Sequence, residues 1–409
     1  MAYDETTYRR TDELTTDPAA YRANTLAAAE QRRRAEQLDD TADTSDLRRV
    51  LIDEDGRDRL GIHLGWEVVL LLAAAAMGFL LWRFDPDTLK RPALDNLLIT
   101  GAVIGLLTMG AGLTLRAGVP NLALGPIALA AALQYAEQGD KGLVKSAVPA
   151  LLIAAAGALA IGLFILVLHV PGWAATLAAA LGVIVFDQLR VGPVQVQGDY
   201  DPTDQAFFLF GGFALLAVLG GALGTITPLR RWLGAMRPVG DPAGRRGAAV
   251  AVPVLGSLVL SSVFAVAAGV LLAAQSANPI QPGTGLEWSG IALGLALLAG
   301  TSAFGRRGGI FGTLFAVAGL TLFLDYADRK NLDIALFAIA ACVFAGGLVI
   351  TRLVETYGRP LPPAGADDWN AAPTTGPANW TPDLPESWSS ATTANRPDRW
   401  DDGPWGSGR

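Results

Sequence analysis

Charge is scarce in the middle of this chain, and the residues that build most catalytic centres are scarcer still. The 409 residues include one cysteine, two histidines and four lysines (Lys90, Lys141, Lys145 and Lys330). Cys342 is alone inside an apolar run, so a disulfide within the chain is excluded, and a buried thiolate there would be costly. His63 and His169 stand at the ends of apolar runs, far apart and without a Cys or carboxylate cluster, which leaves no metal-ligand set. They also leave nothing from which to assemble a Ser-His-Asp arrangement, so no catalytic residue is assigned. No lysine lies in a G-x-x-x-x-G-K-[ST] phosphate loop, which excludes ATP hydrolysis by that route. No cofactor is implied.

What is abundant is apolar sequence. The chain is 51% hydrophobic and 17% charged, and the charge is at its ends. Residues 1–62 carry 15 acidic and 10 basic side chains, and residues 356–409 carry 7 and 4. That leaves 16 and 17 for the whole interior. The net charge of −7 therefore belongs to the tails and gives no reason to expect nucleic acid as a partner. Three regions follow: an N-terminal tail at 1–62, partly helical; a transmembrane region at 63–355; and a C-terminal tail at 356–409. The first tail has no apolar core and reads without a cleavable signal peptide. Its Arg32-Arg33-Arg34 run is available to anionic lipid, but neighbouring acids weaken that reading. The last tail holds five of the ten tryptophans among many prolines, a composition that predicts disorder or a partner-binding segment.

A bilayer core takes ~20 apolar residues per helix. Ten runs qualify or nearly so: 64–84, 97–115, 121–138, 143–169, 171–189, 205–226, 248–275, 287–300, 309–326 and 332–353. The expected fold is all-α: a polytopic membrane bundle of about ten transmembrane helices with disordered tails. Some of the helices read as broken or short. The runs at 121 and 171 open on Pro120 and Pro171, and 287–300 is short for a span. Interrupted spans of this kind line substrate paths in transporters, or are simply tilted or kinked. The pairs Gly211-Gly212, Gly220-Gly221 and Gly346-Gly347 predict close helix packing. Glu67, Arg116, Asp187 and Glu287 read as lying at or near span ends, so the spans themselves look almost free of ionisable groups. That argues against a proton-driven carrier.

Orientation rests on Lys and Arg. The short loops divide eight against eight, and the ten arginines of the N-terminal tail, with Arg352, place both termini in the cytoplasm.

The stretch from Ser276 to Thr313 reads SANPIQPGTGLEWSGIALGLALLAGTSAFGRRGGIFGT. It resembles the permease subunits of ribose-type ABC importers, the sugar and branched-chain amino acid class. The match runs through Pro282, Gly283, Thr284, Gly285, Glu287, Gly300, Thr301, Ser302, Gly305, Gly308, Gly309, Gly312 and Thr313. Residues 169–177 resemble the family's broken-helix segment at Pro171, Thr176 and Leu177. Residues 116–129 resemble its short third helix and lead-in, with Asn121 after Pro120, but lack the acid that sugar permeases carry there and are closer to nucleoside-type relatives. Residues 235–247 resemble the ATPase-coupling loop, at Val239, Gly240, Asp241, Ala243, Arg245, Arg246 and Gly247, in a shorter form.

The resemblance implies a plasma-membrane permease subunit that translocates a small polar solute, sugar or nucleoside-like. Its partners would be cytoplasmic ABC ATPase subunits, an extracytoplasmic binding protein and a second permease copy or paralogue, all within membrane lipid. Asn121, Thr176, Thr284, Thr301 and Ser302 would line the path, and Pro120, Pro171, Gly283, Gly285, Gly308 and Gly312 would shape its turns. A permease-derived scaffold that recruits a partner through the tryptophan-rich tail, and a secondary transporter, are the alternatives.

Overall fold

Apolar runs rich in Ala, Leu and Gly, with few β-branched clusters, fold as ten α-helices among the described residues of the computed structural model. Those residues are 60–226, 229, 250–303 and 309–358. Most of both tails, the coupling-loop residues Val239 to Gly247, and Gly308 lie outside them. In chain order the helices are α1 (Leu60–Phe84), α2 (Ala93–Arg116), α3 (Leu124–Gln138), α4 (Leu143–Leu168) and α5 (Gly172–Gln188). They continue with α6 (Ala206–Thr225), α7 (Ala251–Ala274), α8 (Leu286–Leu298), α9 (Gly312–Arg329) and α10 (Leu336–Gly358).

Six of these are long and apolar enough to cross a membrane: α1, α2, α4, α6 with its preceding turn, α7 and α10. A 24-residue helix such as α2 is about 36 Å long, more than the ~30 Å of a hydrocarbon core. The bundle is apolar outside as well as inside. Leu72, Leu152, Ile153, Leu163, Phe208 and Leu215 are all exposed on α1, α4 and α6. A soluble surface rarely carries apolar patches of that extent, whereas a lipid-facing one requires them.

The centre is the crossing of α2 and α7. A Cβ placed on Gly110 of α2 would come 3.3 Å from the Cα of Ser261 on α7. Around this crossing the chain repeats an order: a 24-residue helix, a non-helical lead-in and a short helix, first as α2 and α3, then as α7 and α8. The short helices pack crosswise. α3 lies along α7, where Gly269 leaves no room for a side chain against the Ala128 carbonyl. α8 packs on α2 and along α10, where Gly294 meets the backbone of Phe344. Of the three glycine pairs, one member each of two pairs is a contact: Gly221 against Ile310, and Gly347 against Gly294. Gly211 and Gly212 face open space.

The loops at one end are tied together. Asp85 pairs with Arg329, Glu137 with Arg190, and Val194 and Ile280 exchange backbone hydrogen bonds of 2.9 and 2.8 Å. At the opposite end, Trp66 near the start of α1 donates from Nε1 to the carbonyl of Leu298, the last residue of α8, at 2.7 Å.

Candidate functional site: two short helices that begin against each other

Between α2 and α3 the chain leaves helical geometry while still inside the bundle. Val119 and Asn121 are 0% and 3% exposed. Backbone polar groups in such a place must find partners within the protein. They do so through side chains from four other elements. The Val119 amide donates to the Thr114 carbonyl at 2.9 Å, and the Asn121 amide to Thr114 Oγ1 at 3.2 Å. Thr176 Oγ1 of α5 donates to the Pro120 carbonyl at 2.7 Å. Asn121 Nδ2 donates to Ser261 Oγ of α7 at 3.0 Å, and Asn121 Oδ1 accepts from the Ala123 amide at 3.0 Å. Ser289 Oγ of α8 donates to the Leu122 carbonyl and accepts from the Gly125 amide, both at 2.8 Å.

Ser289 belongs to the first turn of α8, and Gly125 to the first turn of α3. The two helices therefore start at the same place and run apart, α3 toward the tied loops and α8 toward Trp66. Their starting backbones touch: a Cβ on Gly125 would lie 1.9 Å from the Gly285 carbonyl oxygen. Gly285 has φ +66°, a left-handed turn suited to glycine, and Thr284 Oγ1 reaches the Leu286 amide at 3.4 Å. Each helix N-terminus carries partial positive charge. The interior of the bundle thus holds two such ends facing one another, joined by a single serine hydroxyl. Removing that hydroxyl in Ser289→Ala strands the buried Gly125 amide, at about 1–3 kcal/mol, and takes the partner from the part-buried Leu122 carbonyl. The expected result is a clearly lowered midpoint of thermal unfolding in detergent, against a Ser257→Ala control whose hydroxyl bonds only within its own helix.

The five expected path residues sort into three places. Asn121 and Thr176 come together at the break, where their hydrogen bonds hold the backbone. Thr284 caps the start of α8, with Oγ1 also 3.4 Å from Glu287. Thr301 and Ser302 are buried at the far end of α8, a helix about 20 Å long, and the Thr301 carbonyl accepts from Thr351 Oγ1 at 3.1 Å. Of the expected turn residues, Pro120 supplies the carbonyl that Thr176 holds, and Pro171 precedes α5. Gly283 lines a cavity described next, and Gly312 opens α9 against the Ala299 carbonyl.

Beside the start of α8, at the end of the tied loops, is a cavity of about 600 Å³. Asn96, Thr100, Gln275, Asn278, Glu287 and Trp288 line it. Gln275 donates weakly to Thr100 Oγ1 at 3.5 Å, and its Oε1 is buried without a partner. An aromatic face with amides, a hydroxyl and a carboxylate is a setting for a polar, uncharged or cationic solute.

The ionisable groups correct the sequence reading. Asp187 is the penultimate residue of α5 and Glu67 is about two turns into α1, and they are 0% and 3% exposed. Glu67 Oε1 accepts from the amides of Phe311 and Gly312 at 3.0 and 3.3 Å, so α1 caps the N-terminus of α9. Asp187 has Arg190 at 4.0 Å, and that guanidinium is held mainly by Glu137. Ser261 and Ser289 escaped the sequence reading, and Glu67 was read only as a group near a span end. The available signal was a polar residue inside each apolar run, in the α7 run one of three serines.

No family model, no curated protein and no solved structure matches this chain.

Proposed function

We propose that the chain is the membrane-spanning permease subunit of an ABC importer. All ten helices lie in the plasma membrane, with both termini cytoplasmic. The observation that carries this reading is the meeting of α3 and α8. The long stretch that resembles ribose-type permeases, Ser276 to Thr313, is the stretch that forms α8, its glycine turn and the start of α9. Short helices ending inside a bundle are the devices by which transporters build solute sites within the bilayer. The polar cavity at the start of α8 supports a small polar solute as cargo. Glu67 is spent on a helix cap, and in this reading the energy comes from cytoplasmic ATPase subunits that dock on residues 235–247. Alternating access then follows from ATP binding and release there.

Affinity purification of the full chain from its native membrane tests this directly. A nucleotide-binding ATPase should co-purify, and Arg245→Glu with Arg246→Glu should deplete it several-fold while leaving permease yield unchanged. A purified complex without any nucleotide-binding partner contradicts the importer reading.

A further inference from the structure

A second cavity, of about 500 Å³, lies between α3, α4, α5 and α7, and its chemistry is unlike that of the first. Small side chains make the room, among them Ala130, Ala154, Gly157 and Ala179. The wall carries no charged residue, and its polar members are Asn121, Gln134, Thr176 and Ser262. Asn121 and Thr176 spend hydrogen bonds on the chain break. The Ser262 and Gln134 side chains have no hydrogen-bond partner among the described residues, and Ser262 is 2% exposed. The Ser262 hydroxyl lines the cavity with no partner of its own, so a ligand group or water there can pair with it. Between α4 and α5 the cavity opens past Ile153 and Phe186, both exposed on the apolar outer surface.

We propose that this cavity binds a neutral, lipophilic small molecule that carries a hydroxyl or carbonyl at one end, seated against Asn121, Thr176 and Ser262. The volume is within the roughly 300–1,000 Å³ of small-ligand sites. Along α3, the eleven steps of chain from Ala123 to Gln134 give the site a length of about 16 Å. A sugar does not fit this chemistry, because most of its hydroxyls would meet alkyl groups and lose their water without replacement. A charged ligand has no counter-charge in the wall. A lipid acyl chain matches the wall but would put a methyl group against the Ser262 hydroxyl. An alcohol or ketone of similar length satisfies both the wall and its polar end. This site is independent of the importer reading, since nothing in it requires an ATPase.

The test uses the full chain in phosphatidylcholine nanodiscs, with a diazirine-bearing decanol as photolabel and peptide mass spectrometry as readout. Labelling is expected on α4, α5 and α7 at the cavity wall, including Ala154, Ala179 and Val266. Excess decanol should suppress it several-fold, and ribose should not. Ser262→Ala should weaken labelling several-fold at an unchanged unfolding midpoint, and Ser262→Thr, which keeps the hydroxyl, should restore it. Equal labelling by a diazirine decane, or by a diazirine phosphatidylcholine that decanol does not displace, overturns the proposal in favour of an acyl-chain seat. Labelling confined to the outer surface, with none on Ala154 or Val266, also overturns it.

Discussion

Gly125→Ala is expected to abolish the folded protein. The added methyl group would stand 1.9 Å from the Gly285 carbonyl oxygen and 2.7 Å from the Ser289 amide nitrogen. Both neighbours are backbone, so no side-chain rotation relieves the clash. Either α3 or α8 must move away, and the serine hydroxyl that joins them then loses both of its partners. Overpacking in a close-packed interior costs about 1–3 kcal/mol even where side chains can yield. Here they cannot, and the hydrogen bonds add to that loss. The expected outcome in detergent size-exclusion is disappearance of the monodisperse peak. Gly112→Ala is the control: on α2, thirteen positions earlier in the chain, it has nothing within 4 Å of an added Cβ. That variant should elute as the parent does and unfold no earlier, since alanine favours a helix interior by about 1 kcal/mol over glycine. A well-folded Gly125→Ala protein would mean that α3 and α8 do not meet as described.

Glu67→Ala is expected to give the second-largest loss. Its carboxylate, reaching across from α1, caps two amides at the start of α9. Removing it leaves the buried Gly312 amide unpaired, at about 1–3 kcal/mol, takes the partner from the part-buried Phe311 amide, and also removes a negative charge from a helix N-terminus. Glu67→Gln keeps an oxygen in the same position. If hydrogen bonding dominates, the glutamine variant recovers most of the lost thermal stability and the alanine variant none. If both variants unfold with the parent, Glu67 is not the cap.

The helices were legible because apolar length is written directly in the sequence. The run at 143–169 became Leu143–Leu168, and 171–189 became Gly172–Gln188. The run at 287–300 was short in sequence and is short in structure. The run beginning at 121 shows where such reading stops. Asn121, Leu122 and Ala123 stand at the head of an apolar run and read as its first turn, yet Pro120 to Leu122 bond to side chains of α2, α5, α7 and α8 and lie outside the helix. Those partners are between 7 and 167 positions away in the chain, so no local pattern announces them. The same reason hides Ser261 and Ser289, which are small hydroxyl residues in apolar runs until the fold brings Asn121 and Gly125 to them. Glu67 and Asp187 were legible as positions near helix ends but not as buried groups, because a helix end is wet only if nothing packs over it. The resemblance to permeases singled out Asn121 and Thr176 together, and the fold does join them, through the Pro120 carbonyl. It did not foresee that both would face an apolar cavity.

The central claim is that the chain breaks inside the bundle at Pro120–Asn121, against α7, so that α3 starts there. A cysteine pair measures this most directly. In a Cys342→Ala background, Asn121→Cys and Ser261→Cys replace two side chains whose polar atoms are 3.0 Å apart. Copper-phenanthroline oxidation is applied in intact membranes, followed by denaturation and maleimide-polyethylene glycol. The account predicts that both thiols are protected in the double variant and recovered by reduction, while each single variant stays reactive. Thiols in the double variant that remain as reactive as in the single variants would contradict it.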